Sequence, residues 1–288
     1  MNVWVAGARP RTLPAAVVPV LVGTATAAGA GDGIIWWRAG AAMVVALAIQ
    51  VATNYVNDYA DGQRGTDDRR VGPVRLVGGG LATAAQVKRA AVAAALVAVV
   101  AGLALTAAVG PELLVVGAAS LAAGYLYTGG PVPYGYYGFG EVFVFAFFGV
   151  VATVGSAYVQ LEEVRGLAVA ASLPVGSVAT ALLVVNNLRD IPTDATSGKR
   201  TLAVRMGDGP TRVLYVSLVI AAFAAVPVLA LRRPWALLAV VALPLLVAPV
   251  RRVAAGATGG DLVPVLADTG RLQLVYGGLL AAGLGLSA

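Results

Sequence analysis

Long, almost uncharged apolar stretches recur along this chain too often for a water-soluble fold. They lie at residues 13–30, 36–56, 87–108, 113–127, 142–160, 167–187, 213–231, 235–250 and 272–286. A helix needs about 20 apolar residues to cross the hydrocarbon of a bilayer. A helix that is apolar all round has no face to turn to water. The fourth stretch is short, but the pattern predicts an all-α integral membrane protein of about nine transmembrane helices in one domain over residues 1–288. Glycine and alanine are abundant in these stretches, as expected where membrane helices approach closely.

Composition supports this. Hydrophobic residues make up 59% and charged ones 12% of the 288 residues, with a mean hydropathy of +0.84. A soluble domain is about a quarter charged. The N-terminus does not read as a signal peptide, because Arg9 and Arg11 precede an apolar run that is followed by many more, without a clear cleavage site. There is no cysteine and no histidine. Disulfides, thiolate chemistry, imidazole bases and the common zinc sites are therefore excluded. Any metal must be held by oxygen, which points to magnesium, calcium or manganese.

The formal charge of +6 is a matter of topology. With the N-terminus inside, the tail and the connections after the second, sixth and eighth spans carry nearly all the lysine and arginine. Only Arg38, Arg165, Arg232 and Arg233 fall on the other side. This positive-inside asymmetry sets the orientation and places the C-terminus outside. It leaves no reason to invoke nucleic acid. The two long connections, 59–86 and 189–211, both fall on the cytoplasmic side. They follow spans four helices apart, and each opens on asparagine and aspartate. This resembles an internal repeat, two half-sites facing one cavity open to the cytoplasm.

The first half-site contains Asn54, Asn57, Asp58, Asp61, Arg64, Asp67 and Asp68. Helical spacing sets Asn54 with Asp58 and Asn57 with Asp61 on shared stripes. Acids gathered at a helix C-terminus oppose the macrodipole and are costly at a membrane boundary unless a cation neutralises them. Asp68, Arg69 and Arg70 fit a solvated headgroup region. The second half-site repeats Asn186, Asp190 and Asp194 at four-residue spacing, beside Asn187 and Arg189. Pro192 is expected to kink or end its helix near Asp190, leaving later residues on an irregular turn. Both half-sites place amides and acids on a last helical turn and a basic, glycine-containing loop after it. Such acids bind Mg²⁺, Mg²⁺ binds phosphate oxygens, and lysine or arginine takes the remaining charge.

The paired segments resemble the two aspartate-rich motifs of the UbiA superfamily of intramembrane prenyltransferases. Asn57-Asp58-x-x-Asp61 matches the core of the first motif, with the third acid displaced to Asp67. That displacement, together with Gly72-Pro73-Val74-Arg75, Asn186-Asn187-Leu188-Arg189-Asp190, Gly198-Lys199-Arg200-Thr201-Leu202 and the opening Arg9-Pro10-Arg11-Thr12-Leu13-Pro14, is similar to the 1,4-dihydroxy-2-naphthoate polyprenyltransferases of menaquinone synthesis. The resemblance covers about residues 8–207.

It implies transfer of a polyprenyl group from polyprenyl diphosphate to dihydroxynaphthoate in a bacterial cell membrane, releasing pyrophosphate and CO₂ and giving demethylmenaquinone. It further implies two Mg²⁺ ions, replaceable by Mn²⁺; no obligate protein partner is inferred. The catalytic acids would be Asp58, Asp61, Asp190 and Asp194. Asn57, Asp61 and Asp67 would hold one ion, and Asp190 and Asp194 the other, with Asn186 as ligand or positioning amide. Arg64, Arg75 and Lys199 are either diphosphate partners or topology charges. Arg11 either reaches the acceptor carboxylate or anchors the first helix. Asn54 and Tyr127 are further substrate-side candidates; Tyr127 comes from a tyrosine cluster (Tyr125, Tyr127, Tyr134, Tyr136 and Tyr137) largely explained by an interfacial aromatic belt. Glu141 has no assignment. The alternatives are another aromatic acceptor, such as 4-hydroxybenzoate or homogentisate, or a Mg²⁺ or solute transporter. The transporter is disfavoured because the acids sit at helix ends and not at the midplane.

Overall fold

A computed structural model describes residues 2–30, 33–65 and 75–288, and the described residues are helical or in turns and loops. The longer helices are α1 (Pro14–Ala27), α2 (Trp36–Gln63), α3 (Ala84–Ala108), α4 (Glu112–Leu126), α5 (Gly140–Leu161), α6 (Gly166–Thr196), α7 (Asp208–Ala230), α8 (Pro234–Ala254) and α9 (Leu262–Leu286). Among the described residues α2, α3, α5, α6, α7 and α8 are long and apolar enough to cross a membrane. Helices α1 and α4 are apolar but shorter, and α9 carries Asp268, Arg271 and Gln273. The chain is an integral membrane protein, and the expected nine crossings rest on six strong spans.

Helix α6 lies at the centre: 78% of its apolar window is buried, against 17% for α3. The outer helices present valine and leucine outward, as Leu96, Val97 and Val100 do on α3. This is the arrangement that lipid requires, since an apolar surface costs nothing there. Glycines set the closest approaches. A Cβ on Gly149 of α5 would lie 2.5 Å from the Gly176 Cα of α6, and one on Gly23 of α1 would lie 2.1 Å from the Thr153 carbonyl oxygen of α5. Helix α5 also contains a π-helical stretch, Phe145–Val151, which brings the adjacent Phe147 and Phe148 to the same cavity. Wide turns of this kind often mark functional sites.

Several helix ends differ from expectation. Helix α2 continues past Asp61 to Gln63, and α3 starts early behind a capping box in which Thr83 accepts from Gln86 N–H at 3.3 Å and Gln86 Oε1 accepts from Thr83 N–H at 2.9 Å. Pro192 does not end α6. The helix runs to Thr196 and stops at Gly198, whose φ of +77° closes a Schellman turn. There the Lys199 N–H donates to Asp194 O at 2.9 Å and the Gly198 N–H to Ala195 O at 3.4 Å. The connection expected at 189–211 is thus mostly helical, with Leu202–Met206 as a further short helix. Helix α9 begins ten residues before the apolar stretch at 272–286, because Asp268 reaches Arg252 at 3.2 Å and Thr269 bonds Tyr215 at 2.7 Å, so these polar residues are accommodated within the helix.

Gly149→Ala is expected to lower stability by about 1–3 kcal/mol through overpacking against α6. Gly278→Ala on α9, where a Cβ meets nothing within 4 Å, should be neutral or slightly stabilising. Thermal unfolding of both variants in the same detergent checks this.

Candidate active site

The last turns of α2 and α6 meet. Asp61 accepts from the Tyr136 hydroxyl at 2.8 Å, and its other oxygen lies 3.8 Å from Lys199 Nζ. The same ammonium lies 4.0 Å from Asp194 of α6. The Schellman turn puts it there: by reversing the chain at Gly198, it folds Lys199 back over the helix end that carries Asp194. Lys199 and Arg64 both approach the Tyr136 ring, at 5.1 and 5.2 Å from its centroid. The two sequence segments therefore form one cluster.

A cavity of about 300 Å³ opens from this cluster. Its polar end is lined by Arg9, Thr12, Gln50, Asn54, Asn57, Asp61, Arg75, Asn186, Asn187 and Lys199. The remainder is apolar, with Ile49, Val116, Phe147, Phe148 and Leu183 among its walls. It reaches Ala42 on α2, about 28 Å from Asp61 at 1.5 Å per residue, close to the thickness of the hydrocarbon.

Several predicted residues are held by the protein itself. Asn57 accepts from Thr128 Oγ1 at 2.6 Å. Asn54 donates to Ala8 O at 2.9 Å and to Thr12 Oγ1 at 3.2 Å. Asp58 points away from the cavity and accepts from the Leu76 and Val77 N–H groups, both at 3.0 Å, which ties the loop carrying Arg75 to α2. Arg64 donates to the carbonyls of Thr128 and Gly130 and does not line the cavity. Asp190 receives both arms of the buried Arg189 guanidinium, at 2.6 and 2.7 Å, and Arg189 also donates to Asn186 Oδ1 at 3.0 Å. Tyr127 lines the cavity beside Tyr134. Burial holds the Tyr134 phenol above its ordinary range, so it remains a neutral donor to Ala123 O at 2.9 Å. Asp67 lies outside the described residues.

Arg11 is exposed, while Arg9 lines the cavity and donates to Asn54 O at 3.4 Å. The reason lies in the backbone. Arg9 sits at φ 53°, a left-handed conformation that is sparsely populated for non-glycine residues, and Pro10–Thr12 follows as a 3₁₀ turn. Together they turn Arg9 inward and Arg11 outward. Thr128, Gln50 and Asn187 were also not singled out as site residues. Thr128 gave no local signal, whereas Gln50 stands four residues before Asn54 on the polar stripe of α2.

The described residues contain no group of three acids placed to hold a metal. The oxygens that could serve as ligands are those of Asn57, Asp61, Asn186 and Asp194, each engaged within the protein: Asn57 with Thr128, Asn186 with Arg189, and Asp61 and Asp194 with Lys199. Magnesium commonly takes one or two carboxylates and completes its shell with water and substrate phosphate, so this donor set fits it.

The polar end with its acids and amides is continuous with a long apolar channel, a shape suited to a ligand with a charged head and an apolar tail. The profile of the UbiA prenyltransferase family matches residues 16–260, and the chain belongs to that family. It is a prenyltransferase enzyme. A 1,4-dihydroxy-2-naphthoate octaprenyltransferase of Mycobacterium tuberculosis is 48% identical over 281 residues, covering 98% of this chain and 96% of that protein. The Escherichia coli protein of the same name is 33% identical over 301 residues, covering 99% and 95%. A solved UbiA homolog from Archaeoglobus fulgidus bound to GPP and Mg²⁺ shares the fold at a TM-score of 0.65, with 13% identity and coverage of 97% and 99%.

Asp58→Ala should leave two backbone N–H groups without their acceptor, at about 1–3 kcal/mol. The expected result is faster tryptic cleavage between α2 and α3 in detergent, with the other loops unaffected.

Proposed function

We propose that the chain transfers a polyprenyl group from polyprenyl diphosphate to 1,4-dihydroxy-2-naphthoate in a bacterial plasma membrane, with its polar end on the cytoplasmic side. The observation that carries this reading is the junction of the Asp61–Lys199–Asp194 cluster with the apolar channel. A prenyl diphosphate has the same division, a charged head and a long apolar tail. The 48% identity to a naphthoate octaprenyltransferase supports the choice of acceptor, and the placement of lysine and arginine supports the orientation.

Asn57 and Asp61 would hold one Mg²⁺ and Asp194, with Asn186, a second. Asp190 would join them only on release from Arg189. Bound Mg²⁺ would supply positive charge to the departing pyrophosphate. Lys199 and Arg75 reach the same region and would take the remaining charge. Arg9, backed by Asn54, is the cation best placed for the carboxylate of an aromatic acid. The allylic C–O bond breaks with its electron pair leaving on pyrophosphate. The ring attacks the allylic carbon at the position bearing the carboxylate. Loss of that carboxylate as CO₂ returns its bonding pair to the ring and gives the quinol form of demethylmenaquinone. The phenylalanines of α5 exclude water from the allylic cation, whose hydrolysis would otherwise compete. No protein nucleophile takes part.

Purified protein incubated with octaprenyl diphosphate, Mg²⁺ and dihydroxynaphthoate should yield a lipophilic product and release CO₂ from carboxyl-labelled acceptor. EDTA should abolish both. Product from 4-hydroxybenzoate or homogentisate alone would refute the acceptor assignment. Asp61→Ala should reduce kcat by about 10²–10³-fold, the scale of a lost electrostatic stabiliser. Arg9→Gln should raise KM for the acceptor while leaving KM for the prenyl diphosphate unchanged.

A further inference from the structure

Outside the two half-sites, Glu141 is a buried acid, 5% exposed, in the first turn of α5. Its Oε1 accepts from Asn187 Nδ2 of α6 at 2.9 Å, and its Oε2 has no hydrogen-bond partner among the described residues. Asn187 lines the polar end of the cavity next to Asn186. A leucine of similar volume would fill the Glu141 site without burying an unsatisfied oxygen, so packing alone does not explain an acid there.

The chemistry of the pair supplies a reason. An asparagine amide has two arms of nearly equal shape, a carbonyl that accepts and an NH₂ that donates. The Glu141 Oε1 that faces the Asn187 amide accepts. By taking the Asn187 NH₂, Glu141 fixes which arm is turned toward it and leaves the carbonyl oxygen as the arm available elsewhere. A ligand carrying a divalent cation then meets an oxygen at Asn187, where a flipped amide would present hydrogens of the wrong polarity.

We propose that Glu141 is a positioning residue that holds the Asn187 amide with its carbonyl oxygen available to a cation–diphosphate ligand in the cavity. This rests on the reading that the cavity takes a metal-bound diphosphate. Groups that orient metal-binding side chains through a hydrogen bond change metal affinity by about 10–100-fold when removed.

The test is a Mn²⁺ titration in the presence of inorganic pyrophosphate, with free Mn²⁺ read by electron paramagnetic resonance and without any turnover. If the unaltered protein binds no Mn²⁺, the diphosphate reading itself fails. If it binds, Glu141→Leu should raise the half-saturating Mn²⁺ at least about tenfold, and Glu141→Gln, which keeps a carbonyl acceptor for Asn187, should stay within about threefold. Asn187→Leu should match Glu141→Leu, and the double variant should be no worse than either single one. Unchanged binding in Glu141→Leu, equal damage from Gln and Leu, or additive losses would overturn the proposal. Should Glu141→Leu fail to fold, a structure of the unaltered protein with Mn²⁺ and pyrophosphate decides. The proposal requires Asn187 Oδ1 on the cation side and Nδ2 on Glu141, and the reverse arrangement, or an Asn187 turned away from the site, contradicts it.

Discussion

Carboxylates cannot stand unpaired at the edge of a hydrocarbon layer, and the polar end of this protein is organised by that constraint. Asp61 and Asp194 come from helices far apart in sequence and share one ammonium, Lys199. The sharing depends on the Gly198 turn, which sends Lys199 back toward the end of its own helix, and on Tyr136, which donates to Asp61 and lies under the ammonium. On the proposed reading, the same charges that the protein balances with lysine are those it would offer to metal and diphosphate.

The rest of the molecule places this cluster at one end of a long apolar channel. Helix α6 runs through the centre, and small residues let α5 and α1 close upon their neighbours. The π-helical stretch in α5 turns aromatic rings toward the space beyond the polar cluster. Charge separation at one end and water exclusion along the walls are what ionisation of an allylic diphosphate needs. The fold therefore separates the two halves of its proposed substrate by polarity.

Much of this was legible in the sequence, because lipid imposes a simple requirement that apolar runs and basic loops record directly. The two polar segments stood out for a related reason: amides and acids at four-residue spacing on apolar helices are costly in lipid and call for partners, and the structure brings the two segments together at Lys199. The helix ends were less so. Pro192 suggested a stop that the helix does not make, since Gly198 supplies a better one, and Asp268 hid the start of α9 from a hydropathy reading. Side-chain direction was harder still. Arg9 and Arg11 differ by two residues, and only the left-handed backbone at Arg9 decides which faces the cavity. Asp58 reads as a catalytic acid from spacing alone, and only the returning loop reveals its bonds to the Leu76 and Val77 N–H groups, just as the partner of Glu141 appears only when α5 packs on α6.

The central claim is that α2 and α6 contribute to one ligand site. Calorimetric titration with a non-cleavable prenyl thiolodiphosphate and Mg²⁺ tests it directly, using Asp61→Ala, Asp194→Ala and the double variant. One shared site predicts that each single change weakens binding strongly and that the double change adds little more, a coupling well above the few tenths of a kcal/mol seen for independent positions. Losses that simply sum, or a ligand indifferent to either acid, would contradict it.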